Sequence, residues 1–189
     1  MPQSAARGIE FPIGGIDDGV VRLRMRTDAD IPAVVGACQD PEIPRWTRVP
    51  DDYDEDAARA WVAQAANEQA EGRGISVLVV DAQDDTLLGS VGAHEIDYEE
   101  SRCEIGYWAV AEQRGRSAIP RAVRLLCRWA FDELPVERIS ITAEPENASS
   151  RRVAEKAGFT YEGVLRSWFV NKGRRRDAAI YSLLRGDLG

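Results

Sequence analysis

Apolar and polar positions along this chain fall into short strand-like and helix-like runs that follow one another. Val20 to Arg26 alternates Val21, Leu23 and Met25 with Arg22, Arg24 and Arg26, which predicts a first strand with one buried face. Thr27 or Asp28 then caps a helix whose apolar face carries Ile31, Val34, Val35 and Cys38. Pro41, Pro44 and Pro50 break the chain around Arg45-Trp46-Thr47-Arg48 and predict an ordered loop. The acidic run Asp51 to Asp56 leads into an alanine-rich helix reaching about Ala70, where acids near the start suit the helix dipole. Ile75 to Asp81 is a continuous apolar run, the mark of a buried strand. Gln83-Asp84-Asp85 turns, and Leu87 to Ile96 returns as a strand in which Gly89 and Gly92 mark bulges or close backbone approach.

The second half is patterned more sharply. Glu104-Ile105-Gly106-Tyr107-Trp108-Ala109-Val110 predicts one buried strand. Ala122, Val123, Leu126, Trp129, Ala130 and Leu134 recur at helical spacing, with Arg121, Arg124, Arg128 and Asp132 on the solvated face. Between strand and helix lies Arg114-Gly115-Arg116-Ser117-Ala118-Ile119, a corner whose free N–H groups and positive dipole end suit a phosphate or other anion. Arg138 to Ala143 reads as a strand, and a short helix follows, with Asn147, Ser149 and Ser150 at its start and Gly158 at its end. Thr160 to Arg166 resumes as strand. The last hairpin, Val164 to Val170 and Ala178 to Leu184, turns through Asn171 to Arg176, a basic tip that reads as a solvated β-turn or, less simply, a contact for phosphates on the donor or acceptor. Residues 1–19 hold Gly8, Gly14, Gly15, Gly19, Pro2 and Pro12 with little periodicity. They predict a flexible leader, with Phe11 and Ile13 as side chains able to pack on a single domain over 20–189.

These marks, in this order, resemble the GNAT superfamily of acyltransferases, in particular the group that includes the ribosomal-protein N-terminal acetyltransferases. The matching residues are Ile105-Gly106-Tyr107-Trp108, Arg114-Gly115 opening a helix, Asn147…Ser150…Gly158-Phe159, and the closing Asp177…Tyr181-Ser182-Leu183-Leu184. The resemblance implies an α/β (α+β) fold: a central mixed, mostly antiparallel sheet of six to seven strands, splayed in the middle and flanked by about four helices. It implies an N-acyltransferase that moves an acetyl or other acyl group from acyl-CoA to a primary amine of a small molecule or a protein N-terminus, with acetyl-CoA as co-substrate. A homodimer is compatible with it.

The same resemblance assigns residues. Trp108, Ala109 and Val110 would meet the pantetheine arm, with a backbone N–H around Val110 aimed at the oxyanion. Arg114, Gly115, Arg116, Ser117 and Ala118 would hold the pyrophosphate. Ser150 matches the serine that protonates the leaving thiolate in the ribosomal-protein acetyltransferases, and Asn147 the polar residue beside it. Ser150 reads equally as a helix cap shared with Ser149. The tyrosine acid of many members falls on Ala154, and the carboxylate base of the ribosomal group on Phe169, so both are missing; Glu104 is placed to substitute through a water. In the family the loop and helices around residues 41–70 wall the acceptor site, which makes Glu42, Trp46, Tyr53 and Asp54 the candidates for holding the amine. The only histidine, His94, could act as a base because histidine titrates near neutrality, but with no motif around it a structural or rim role is the simpler reading.

The anion loop departs from the family's Arg/Gln-x-x-Gly-x-Gly/Ala. With Arg114 first, Ser117 and Ile119 occupy the small positions; shifted by two, Gly115 and Ser117 fit but Glu112 leads. Either the loop has drifted and still works, or Ile119 crowds the pyrophosphate and the donor differs. Two alternatives therefore stand beside the CoA enzyme: a GNAT-fold transferase using aminoacyl-tRNA or another bulky ester, and a non-catalytic binding module.

Composition narrows little. The chain has 189 residues, 44% hydrophobic and 30% charged, which suits one globular domain. No apolar run approaches a membrane span, and Cys38, Cys103 and Cys127 are scattered, without a CxxC pair, as buried thiols of a reducing compartment are. The cytoplasm is the expected location. The net charge of −8 argues against tight, nonspecific DNA binding, and tRNA enters only in the alternative reading. It is unevenly spread: residues 1–100 carry 8 Lys/Arg against 21 Asp/Glu, and residues 101–189 carry 16 against 11. An acidic half beside a basic half suits a cationic acceptor at one mouth and an anionic donor at the other.

Overall fold

The computed structural model describes residues 8–188. Eight strands form one sheet: β1 (Ile16–Asp17), β2 (Val21–Arg24), β3 (Ile75–Asp81), β4 (Leu87–Asp97), β5 (Arg102–Ala109), β6 (Arg138–Ala143), β7 (Thr160–Asn171) and β8 (Arg174–Leu184), in the order β1-β2-β3-β4-β5-β6-β8-β7. Five helices flank it: α1 (Ile31–Cys38), α2 (Glu42–Trp46), α3 (Glu55–Ala70), α4 (Ala118–Glu133) and α5 (Ala148–Ala157). This is the architecture the resemblance implies, with one more strand and one more helix than the upper expectation. The extra strand is the two-residue β1, and the extra helix is α2.

The apolar pattern explains the layers. β3 is buried almost throughout because both its faces are covered. Ile75, Val77 and Val79 join the core under α4 and α5, while Leu78 and Val80 join a second core built from Ile31, Val34, Ile43, Tyr53 and Ala58. α4 contributes Ala122, Val123, Leu126, Cys127 and Ala130, none exposed. Its Pro120 falls in the first turn, where a missing N–H costs nothing.

Three local expectations need correction. The proline-broken loop contains α2, because Pro41 is its N-cap and Pro44 lies in its first turn, both positions without a helical acceptor to lose. Of residues 1–19, the first seven lie outside the described residues. In the rest, Ile9 is buried, Phe11 packs edge-on against Trp129 at 5.0 Å, and Ile16–Asp17 pairs with β2, so this part lies on the domain where a flexible segment is expected. Ile13 does not pack and is fully exposed. The basic tip shortens to Lys172-Gly173, both at positive φ (48° and 74°), the geometry that matches a tight hairpin to strand twist. Arg174 to Arg176 belong to β8.

Every strand pairing is antiparallel except β5–β6. That parallel pairing is brief: Arg102, Cys103 and Glu104 pair with Arg138, Ile139 and Ser140, and nothing pairs beyond them. β5 runs on to Ala109 and β6 to Ala143, so the two strands part and leave a gap in mid-sheet.

Candidate active site

A cavity of about 1590 Å³ runs through this gap and is lined from both faces of the sheet. Alternation along β5 sorts its wall. Ile105 and Tyr107 pack with the core under α4 and α5, whereas Trp108 packs with the core under α1 to α3. Glu104 and Gly106 share the side of Trp108 by the two-residue period.

On the α4–α5 side the corner presents backbone. Gly115 (φ 80°) and Ser117 (φ 62°) are left-handed, and α4 begins without a side-chain cap. Among the described residues the N–H groups of Ser117, Ala118 and Ile119 find no acceptor, so three donors stand at the positive end of a 16-residue helix. Ser117, at a position where the family's loop consensus has glycine when Arg114 is its first residue, is held left-handed. Ile119 lines the cavity but is only 5% exposed, and its Cδ1 lies 2.9 Å from where a Cβ on Gly89 would be, so most of the side chain packs inward. Glycine at 89 is therefore the packing partner of Ile119. Gly115 has open space beside its Cα.

The expected donor contacts divide. Trp108, Ala109, Arg114, Gly115, Ser117, Ala118 and Asn147 line the cavity, while Val110 and Arg116 do not. The Val110 N–H donates to Leu88 O at 3.0 Å, so it is unavailable as an oxyanion donor. By strand alternation the neighbouring Ala109 N–H is directed to the other side, toward the gap. The Arg114 guanidinium pairs with Asp40 and donates to Ala109 O at 3.3 Å, which ties the corner to the end of α1. Arg152 and Lys156 of α5 add positive charge to this wall.

Above the gap, Asn147 Oδ1 accepts from the Ser150 N–H at 3.0 Å, so Asn147 is the cap of α5 and Ser150 is not. The freed Ser150 Oγ lies 2.9 Å from the Tyr107 hydroxyl, which also donates to Ser150 O at 3.0 Å. Burial pushes the Tyr107 phenol well above its usual value and keeps it protonated. Sequence reasoning quoted Tyr107 as a family mark and gave it no role.

On the opposite face Glu104 accepts from Thr142 Oγ1 at 2.5 Å, and burial raises its carboxyl above the ordinary 4.5. Glu42, Trp46 and Tyr53 line the cavity as expected. Glu42 is held by Trp46 Nε1 and Arg45 Nη1, each at 3.0 Å, and the Tyr53 phenol is pushed up to about 12 by burial. Asp54 is not part of the site. Its carboxylate caps α3 by accepting from Ala57 N at 2.8 Å, and it does not reach the cavity. Trp61 and Glu68 line this wall without having been singled out for it, and His94, given a structural or rim role from the sequence, lines it too. Only helical phase along α3, Trp61 to Glu68, carried a signal for the first two.

Residues 21–160 match the family described as the acetyltransferase (GNAT) domain. The chain is 38% identical over 102 residues to a Bacillus subtilis protein provisionally named ribosomal N-acetyltransferase YdaF, covering 54% of this chain and 56% of that protein. It is 30% identical over 161 residues to the uncharacterised N-acetyltransferase p20 of Bacillus licheniformis, covering 84% and 88%. In fold it superimposes on the microcin C7 self-immunity acetyltransferase MccE, solved with acetyl-CoA and AMP, with a TM-score of 0.82 over 92% of this chain and 98% of that one, at 21% identity.

Proposed function

Because this chain belongs to the GNAT acetyltransferase family, we propose that the domain, with residues 9–17 packed onto it, forms one catalytic unit that moves an acetyl group from acetyl-CoA to a primary amine of a small molecule or a protein N-terminus. One observation carries the reading. The β5–β6 gap opens beside the uncapped start of α4, with a paired serine and tyrosine on one face of the sheet and a carboxylate on the other. The residues fit the donor: free N–H groups at α4, with Arg152 and Lys156 nearby, suit the phosphates, and the open edge of β5 suits an extended amide-bearing arm. The inward turn of Ile119 supports acetyl-CoA over an aminoacyl-tRNA donor. Three free, buried cysteines support a reducing, cytoplasmic setting.

Each group has a role. The amine approaches from the α1–α3 side, where Glu104 attracts the ammonium and receives its proton through a water. The neutral amine attacks the thioester carbonyl, and the Ala109 N–H stabilises the oxyanion that forms. As the carbon–sulfur bond breaks, the Ser150 hydroxyl donates to the departing sulfur while Tyr107 fixes its rotamer. Glu42, Trp46 and Tyr53 wall the acceptor's path.

Calorimetric titration with acetyl-CoA tests the donor half. Micromolar binding is expected, weakened by Gly115→Asp, which places a carboxylate in the open space beside the corner. A folded wild type that binds no CoA ester contradicts the reading.

A further inference from the structure

Three glycines clear a slot on the acceptor face of the sheet, and the protein's only histidine lies in it. A Cβ on Gly92 would stand 2.5 Å from His94 Nε2, one on Gly106 3.5 Å from its Cδ2, and one on Gly74 3.5 Å from its Nδ1. Gly92 and Gly106 face each other across β4 and β5, so the imidazole lies over that pair. Two residues along β5 in one direction is Glu104, the cross-strand partner of His94; two in the other is Trp108, at the edge of the gap. The ring thus sits between the ammonium-attracting carboxylate and the place where the thioester carbonyl must come. Among the described residues neither ring nitrogen has a protein hydrogen-bond partner, neither is among the fully sealed unpartnered atoms, and the residue lines the cavity. A histidine kept for structure is normally held by such bonds.

We propose that His94 is the base that takes the proton from the amine as it attacks, an inference that rests on the acetyl-transfer reading above. The amine nitrogen forms its bond to the carbonyl carbon, and the carbonyl π pair moves to oxygen. One N–H proton passes to the free imidazole nitrogen. The carbon–sulfur bond then breaks with its electron pair on sulfur, which takes the proton of the Ser150 hydroxyl, and Ser150 regains a proton from water. The imidazolium returns its proton to water through the acceptor mouth. Glu104 keeps the earlier task of stripping the ammonium.

The electrostatics agree. Burial lowers His94 below the ordinary 6.5; Glu68 from α3 and the adjacent Glu95 oppose this, and Arg48 after α2 and Arg26 after β2 reinforce it. Burial raises the Glu104 carboxyl, across the strand pair, above the ordinary 4.5, which makes it a better acceptor for the ammonium's proton. The imidazole is therefore neutral near pH 7, as a base must be.

A single histidine makes the test direct, since one Cε1–H NMR resonance reports the ring without any turnover. With CoA present, that resonance should titrate below 6.5 and move on addition of spermidine, a soluble primary-amine probe. His94→Gln and His94→Asn should each lower kcat by about 10²–10⁴-fold for any amine the wild type acetylates. They should leave the acetyl-CoA Kd unchanged and remove the acidic limb of the kcat/KM profile. An active wild type whose variants keep both rate and limb overturns the role of His94 and leaves acetyl transfer intact. A wild type that acetylates no amine overturns acetyl transfer itself. If both variants fail to fold, an imidazole resonance in the wild type that ignores the amine overturns the proposal.

Discussion

At the scale of single residues, Ser150 and Asn147 separate two kinds of effect that sequence spacing alone confounds. Asn147 is the cap, so Asn147→Ala should cost about 0.5–2 kcal/mol of stability, read by denaturant unfolding. Ser150 caps nothing, so Ser150→Ala should leave stability near wild type and lower kcat by about 10²-fold or more, with the acetyl-CoA affinity unchanged. Tyr107→Phe should lower kcat by less, and the double variant should fall short of the product of the two, because one hydroxyl acts through the other. Glu104→Gln carries a sign that can be checked. Burial raises the carboxyl above 4.5, so the fold loses stability as pH rises from there through the raised value. Above that range Glu104→Gln should melt higher than wild type while turning over more slowly. The serine was legible from its place in a motif. The Tyr107 contact was not, because it joins residues 43 apart across strand and helix.

At the scale of elements, the corner before α4 decides whether the donor site is damaged or merely altered. Ile119 is a core residue, so Ile119→Ala should cost about 2–5 kcal/mol without improving acetyl-CoA binding. Ser117→Gly should instead relieve left-handed backbone, worth about 1 kcal/mol, and tighten the donor only slightly. A loop consensus could flag Ile119 as misplaced, but it could not show that the side chain turns inward onto Gly89. Most elements were readable because their periodicity was strong: α4, β3 and the β7–β8 hairpin needed only boundary changes. α2 was hidden because prolines at a cap and a first turn look the same in sequence as prolines in a loop. β1 was hidden because two residues carry no period at all.

At the scale of the whole molecule, the charge asymmetry of the sequence becomes spatial. The acidic first half builds the α1–α3 wall with Glu42, Glu68 and Glu95, and the basic second half brings Arg152 and Lys156 to the donor wall. Cationic amines should therefore lose kcat/KM as salt rises while neutral amines hold theirs, and equal salt dependence for both would refute the steering. The gap between β5 and β6 is the property that makes two faces one site, and it was foreseen only through resemblance, since unpaired strand edges leave no composition signal. The most direct measurement is single-turnover acetyl transfer, with wild type, acetyl-CoA and a panel of primary amines and N-terminal peptides, read by mass spectrometry of the amine alongside release of free thiol. At least one cationic amine should be acetylated in step with thiol release, with the rate falling in Ser150→Ala. Wild type that binds acetyl-CoA yet acetylates no amine, or Ser150→Ala that transfers at the wild-type rate, would contradict the account.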